Sequence, residues 1–196
     1  MNKVVLIDNG HGIETPGKRS PDGKLKEGVW AREMASLIVR SLCSAGIDAR
    51  LLTPEPQDIG LSLRVERVNS LCRKIGADNV LVDSIHINAA GNGNSWNAAR
   101  GFLSFVAPNA GSGSKRLARL FYEASEKRGL KGNRWVPKEK YMVKSLAICR
   151  DTKCAAVLTE NLFMDNAEDC AYLLSEEGKK TITAAHVEAI MKYIAS

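Results

Sequence analysis

Residues 1–12 read MNKVVLIDNGHG. Val4, Val5, Leu6 and Ile7 form a short apolar run rich in β-branched side chains, which breaks abruptly at Asp8-Asn9-Gly10-His11-Gly12. A continuous apolar run closed by a glycine turn reads as a fully buried strand of an α/β sheet. His11 then falls just past the strand's carboxyl end, where open α/β sheets place their chemistry. Gly10 and Gly12 lack the Cβ atoms that would block close approach of a ligand or metal.

The same alternation continues along the chain. Ile13 to Lys26 is a loop of turn formers, with Pro16-Gly17 and Pro21-Asp22-Gly23. Glu27 opens a helical pattern carried by Val29, Trp30, Met34, Leu37, Ile38, Val39 and Leu42, with Gly46 as its C′ residue. Ile47 to Thr53 reads as a second strand. Leu61 to Ile75 reads as an amphipathic helix with Leu61, Leu63, Val65, Val68, Leu71, Cys72 and Ile75 inward. Val80 to Asn88 is a third strand and Gly101 to Val106 a fourth. Ser114 to Arg128 is a helix with Leu117, Leu120, Phe121 and Ala124 inward. Gly129 to Ser145 is basic and irregular. Leu146 to Cys149 reads as a short strand and Ala155 to Leu162 as a firmer one. Asn166 to Glu177 holds a turn and a short helix, and Lys179 to Ile194 a terminal helix. Strands alternating with helices predict an α/β fold, a single domain over residues 1–196, with a mostly parallel twisted β-sheet and helices on both faces.

Composition narrows the function classes. The 196 residues suffice for one well-buried core. No apolar run approaches the roughly 20 residues of a membrane span, and Asp8 and Gly10 end the first run too early for a signal peptide. The expectation is synthesis in the cytoplasm, with another route to any target outside it. The formal charge of +6 favours anionic partners such as nucleic acid, acidic lipid or acidic cell-wall polymer. Much of the basic excess falls between Lys115 and Lys144, but no nucleic-acid motif accompanies it. Five cysteines, Cys43, Cys72, Cys149, Cys154 and Cys170, are scattered and include no C-x-x-C pair. This argues against a disulfide framework and a zinc knuckle. Cys43 and Cys72 read as core filler.

Two histidines, His11 and His86, stand at the ends of apolar strands, whereas His186 lies on a plain helical face and reads as a surface or packing residue. Two imidazoles on one sheet edge suggest a zinc site, in which a carboxylate is the usual third ligand. Glu14, in an H-x-x-E spacing with His11, and Glu27, at the start of the first helix, compete for that place. Glu27 starts its helix on the same edge as His11, yet a glutamate there also serves the helix dipole. Glu160 lies inside a buried strand, VLTENLF, where an unpartnered charge is rare. It suits proton transfer beside a metal, or else it caps a helix or pairs with Arg150.

Taken together, IDNGHG, the helix-opening Glu27, SIHINA (Ser84 to Ala89) and VLTENLFMDN (Val157 to Asn166) resemble, in order and rough separation, the zinc-dependent N-acetylmuramoyl-L-alanine amidases of the Amidase_3 type. The resemblance runs from Val4 to the final helix. It implies His11, Glu27 and His86 as ligands of one catalytic Zn2+ ion, to the exclusion of Glu14, and Glu160 as the catalytic glutamate. The implied substrate is peptidoglycan, cut between the lactyl group of N-acetylmuramic acid and L-alanine of the stem peptide. Zinc binds the water and polarises the carbonyl; Glu160 is general base, then general acid to the leaving amine. Asn9 and Cys154-Ala155 depart from the family pattern, where prolines are common, without touching the implied ligands. The loop Ala89 to Arg100, with Trp96, and the basic segment Lys131 to Lys144 are expected to border the substrate groove. A catalytic domain of this kind suits a phage-type lysin, most simply a monomer. A carboxypeptidase-like peptide hydrolase using Glu14, and a non-catalytic wall-binding module, are the alternatives.

Overall fold

The structure, a computed structural model, describes residues 3–195. Strand β1 (Val4–Asn9) runs into the long loop, then α1 (Glu27–Ser44), β2 (Asp48–Leu51), α2 (Leu61–Ile75) and β3 (Val80–Asn88). The second half holds β4 (Leu103–Val106), α3 (Ser112–Glu126), β5 (Met142–Val143), α4 (Ala147–Arg150), β6 (Ala155–Phe163), α5 (Ala167–Leu174) and α6 (Glu176–Ile194). The strands form one sheet in the order β2-β1-β3-β6-β4-β5. β1 pairs in parallel with β2 and β3, and β3 with β6, so the three central strands end on one edge. β4 is antiparallel to β6.

Side-chain alternation divides the core in two. Val5 and Ile7 join Met34, Ile38, Leu117, Phe121, Ile182 and Ile190 in the cluster beneath α1, α3 and α6. Val4 and Leu6 join Val68, Cys72, Ile148 and Leu158 in the cluster beneath α2 and α4. The first half of each central strand therefore reads as a continuous apolar run because both its faces are covered. Helix α1 ends in a Schellman motif: Gly46, at φ 79°, lets its own N–H reach the Cys43 carbonyl and Ile47 N–H reach that of Leu42, each at 3.0 Å.

Several expectations need correction. Leu61 and Leu63 of α2 are exposed, and the buried positions are Arg64, Val68 and Cys72. A charged residue takes the inward place because Asp8 waits for it inside the sheet: Arg64 Nη1 donates to Asp8 Oδ1 and to the Asn9 carbonyl, both at 2.6 Å. Leu146 to Cys149 is not a strand; a single helical turn, α4, carries Ile148 and Cys149 into the second core, and a four-residue apolar run cannot distinguish the two. The two-residue β5 lies inside the segment read as irregular. Cys43 is exposed, one position off the inward face of α1, whereas Cys72 is core. Of the two readings left open for His186, surface or packing, the second holds: it has no exposed area.

Candidate active site

Helix α1, strand β3 and the turn after β1 bring three side chains to the carboxyl edge. Because β1 and β3 are direct neighbours, His11, two residues beyond β1, lies beside His86 near the end of β3. Their rings stand edge to face, with centroids 5.1 Å apart. His11 has a positive φ of 61°, which turns the chain at once into the loop. That loop returns to the same edge: the Glu27 N–H donates to the Lys18 carbonyl at 2.9 Å, fixing the first residue of α1. Glu27 is only 1% exposed. Its Oε1 accepts from the Ile87 N–H at 3.1 Å, lies 3.1 Å from His86 Nδ1 and is 3.6 Å from His11 Nε2. One ligand atom from each of His11, Glu27 and His86 lies within 4.8 Å of the others, and no other such group of His, Cys, Asp or Glu occurs among the described residues. Glu14 is exposed on the loop, outside this group.

Gly10 and Gly12 are required here for protein packing. A Cβ on Gly10 would sit 2.8 Å from His86 Nε2 and closer still to other atoms of the ring. A Cβ on Gly12 would run into the backbone of Asp58. The space opened by Gly10 is filled by the imidazole itself.

Glu160 of β6 is in register with His86 across the β3–β6 pair and shares its face of the sheet. Neither alternative partner claims it: Arg150 pairs instead with Asp151 at 2.6 Å and reaches Ser145. Two carboxylate oxygens, Glu27 Oε2 and Glu160 Oε2, are buried without a hydrogen-bond donor. Such orphaned acceptors are costly unless a cation or solvent meets them. Lys18 Nζ stands 3.8 Å from Glu27 Oε2, a contact that the loop's turn-former composition did not reveal.

The electrostatics follow from burial and crowding. Burial lowers the pKa of His11 to about 4 against the pull of Glu27, so its imidazole is neutral and its lone pair available at pH 7. Burial also opposes a charge on His86, but its hydrogen bond to Glu27 and the nearby carboxylates outweigh that and raise its pKa. Burial works against the Glu27 carboxylate as well; the His86 hydrogen bond and the surrounding positive charge hold its pKa below the usual value. Glu160 goes the other way: burial, reinforced by Glu27 and opposed chiefly by His86, raises its pKa to about 7.

A cavity of about 460 Å³ opens beside both histidines. Asp58 ahead of α2, Leu61 and Arg64 in its first turn, and Leu146 to Ile148 are among the residues that line it. Neither Trp96 nor the segment Lys131 to Lys144 lines it. The Trp96 loop is instead tied to the end of β6, where Asp165 Oδ2 accepts from the Ala90 and Gly91 N–H groups and from Asn97 Nδ2 at 2.8–3.0 Å. The exposed Leu61 is thus a wall of this cavity, which a helical pattern that assigns apolar residues to the core cannot distinguish.

A two-face α/β sheet with imidazoles and carboxylates gathered on its carboxyl edge is the architecture of a hydrolytic domain. The N-acetylmuramoyl-L-alanine amidase family model, Amidase_3, matches residues 5–192, and the chain belongs to that family. It is similar to the endolysin of Bacillus phage SPP1, 28% identical over 198 residues, which cover 99% of this chain and 67% of the relative. It is also similar to the N-acetylmuramoyl-L-alanine amidase CwlM of Bacillus licheniformis, 26% identical over 196 residues, 96% of this chain and 67% of the relative. In fold it is similar to the crystal structure of an N-acetylmuramoyl-L-alanine amidase from Clostridium difficile 630, with a TM-score of 0.82 at 23% identity, covering 100% of this chain and 98% of that one. The enzyme is accordingly an amidase acting on peptidoglycan, at the bond its family name states. No helix among the described residues is long and apolar enough to cross a membrane.

Proposed function

We propose that His11, Glu27 and His86 hold one zinc ion and that Glu160 is the acid–base residue of amide hydrolysis. The observation that carries this reading is the pair of buried, donor-less carboxylate oxygens beside two imidazoles, one of them neutral. Two histidines and one carboxylate are a ligand set of catalytic zinc, with a position left open for water or substrate. Zinc bound there supplies Lewis acidity, polarising the scissile carbonyl and making water easier to deprotonate. The protein does the rest. Ile87 N–H holds Glu27 Oε1 in place, as an outer partner orients a ligand. Glu160, in register with His86, takes the proton from the attacking water and returns it to the L-alanine nitrogen as the amide breaks. The cavity walled by Leu61 and Ile148 receives substrate next to the histidines. We extend this reading to residues 1–196 as one catalytic domain acting on cell-wall peptidoglycan in the manner of a lysin.

The experiment that tests the assignment is zinc titration of the purified protein combined with digestion of sacculi. One equivalent should bind, and Glu27→Ala should weaken binding whereas Glu14→Ala should not. The opposite pattern would favour a peptide hydrolase built on Glu14. Gly10→Ala tests the geometry: its methyl must displace the His86 ring, and zinc affinity is expected to fall about 10- to 100-fold, the range for disturbed support of a ligand. Competition with a chromophoric chelator measures this, and an unchanged affinity would contradict the placement of His86.

The pH profile follows from Glu160. It must be ionised to accept a proton, so activity falls as pH drops through its pKa. Burial raises that pKa from 4.5 to about 7, and a cation held by the neighbouring cluster draws it back down. The acid limb of kcat/KM, measured at saturating zinc, is therefore expected between 4.5 and about 7. Activity undiminished at pH 4 would remove Glu160 from the role.

A further inference from the structure

Beneath the site, on the opposite face of the sheet, lies a chain of polar groups that the reaction does not use. Asp83, Thr159, Asn161 and His186 all have no exposed area. His186 Nδ1 is 2.6 Å from Asp83 Oδ2, and its Nε2 is 2.9 Å from Asn161 Oδ1. Asn161 Nδ2 donates across the sheet to the His86 carbonyl at 3.1 Å. A carbonyl can only accept, which turns Asn161 Oδ1 toward the imidazole and makes the His186 Nε2–H a donor. Asp83 Oδ1 accepts from Thr159 Oγ1 at 3.3 Å. The rings of Phe102 and Phe121 enclose His186 at centroid distances of 6.2 and 5.1 Å.

The chain meets the sheet where its register slips. His86 is opposite Glu160, but Asn88 is opposite Phe163, so two steps along β3 match three along β6. This is a β-bulge, a device that re-aims a side chain beside an active site. Between these pairs β6 has Asn161 and Leu162 where β3 has Ile87 alone, and Leu162 has a φ of 66°, in the left-handed region that a leucine rarely adopts. Something must hold that conformation. Asn161 is adjacent to it in sequence and is clamped on one side to His86 and on the other to His186.

We propose that His186 is a positioning residue: acting through Asn161, it fixes the bulge that aims His86 and Glu160 at one point. Buried polar pairs are weak evidence for stability, because well-packed apolar side chains often replace them without loss. What directional hydrogen bonds add is a single geometry. This inference rests on the zinc-site reading given above.

The test uses the whole chain, with zinc affinity and turnover of a soluble muropeptide as separate readouts. Asn161→Asp keeps an acceptor for His186 but cannot donate to the His86 carbonyl. It should raise the zinc dissociation constant and lower kcat by about 10-fold or more, the range for loss of an outer partner of a ligand, with KM within twofold. His186→Leu should act in the same direction. The double variant should be no worse in kcat and zinc affinity than Asn161→Asp alone, because the two act in series. His186→Gln, whose amide can still donate, should recover part of the loss. Ile190→Ala, a fully buried position of α6 outside this network, should lower Tm yet leave both readouts unchanged per folded molecule. The proposal is overturned if Asn161→Asp matches the parent within twofold, or if the double variant loses the product of the two single effects. Should His186→Leu not fold, Asn161→Asp decides alone. A parent protein that binds no zinc refutes the ligand set; a parent that binds it, with variants that equal it, refutes the positioning role only.

Discussion

Glu160→Gln is expected to lower kcat by about 10²- to 10⁴-fold, the usual share of a general acid–base residue, while leaving zinc bound. Glutamine has almost the same shape but can neither take a proton from water nor pass one to the departing amine. Asp8 and Asp83 also lie on central strands but have Arg64 and His186 as partners, whereas Glu160 Oε2 is buried and unpartnered. The same burial that raises its pKa to about 7 matches it to both halves of the task, since it must lose and regain a proton in each turnover near neutral pH. Because an amide needs no charge there, the substituted protein should be at least as stable, and its melting temperature provides the control. Zinc content by elemental analysis and release of stem peptides from sacculi are the measurements. Near-normal release from a zinc-loaded variant would exclude Glu160.

Removal of zinc is expected to abolish turnover, and stoichiometric return of the ion to restore it. Without a cation, Glu27 Oε2 is buried with no hydrogen bond and has only Lys18 nearby, at 3.8 Å. Burial opposes a charge on His86, and its hydrogen bond to Glu27 raises its pKa against that. Chelation should leave a folded protein, since the two apolar cores extend along the whole sheet and are built from its helices, not from the ion. Circular dichroism separates loss of metal from loss of fold. Mass spectrometry of products made by the restored enzyme should show intact stem peptides with a free L-alanine amine. Stem-peptide release unaffected by thorough chelation would sink the metal reading, although not the family assignment.

The site shows why some of its members were legible and others were not. His11, His86 and Glu160 are chemically conspicuous where they stand, each at or near the end of an apolar run, and strand ends in a parallel sheet share an edge. Glu27 was ambiguous on bare residues, because a helix's first turn welcomes a glutamate for reasons of its own; its 1% exposure and its bond to Ile87 N–H are what support the proposed ligand role. The helical pattern passed over Arg64 and placed Leu61 inward. Arg64 is inside because Asp8 lies across from it, and Leu61 is outside because it walls a cavity. No period in the sequence encodes either partner.

By itself the sequence determined the strand–helix alternation, the covered central strands and the residues able to do chemistry, because these depend on local periodicity and residue type. Tertiary structure alone decided the order β2-β1-β3-β6-β4-β5, the antiparallel β4, the Arg64–Asp8 pair and the burial of His186 against Asp83. Asp83 and His186 are 103 residues apart, and Asp8 and Arg64 are 56 apart. Such pairs are specified by which faces of the chain meet after packing, and the free energy of burying one polar group is settled only by the partner that packing brings to it.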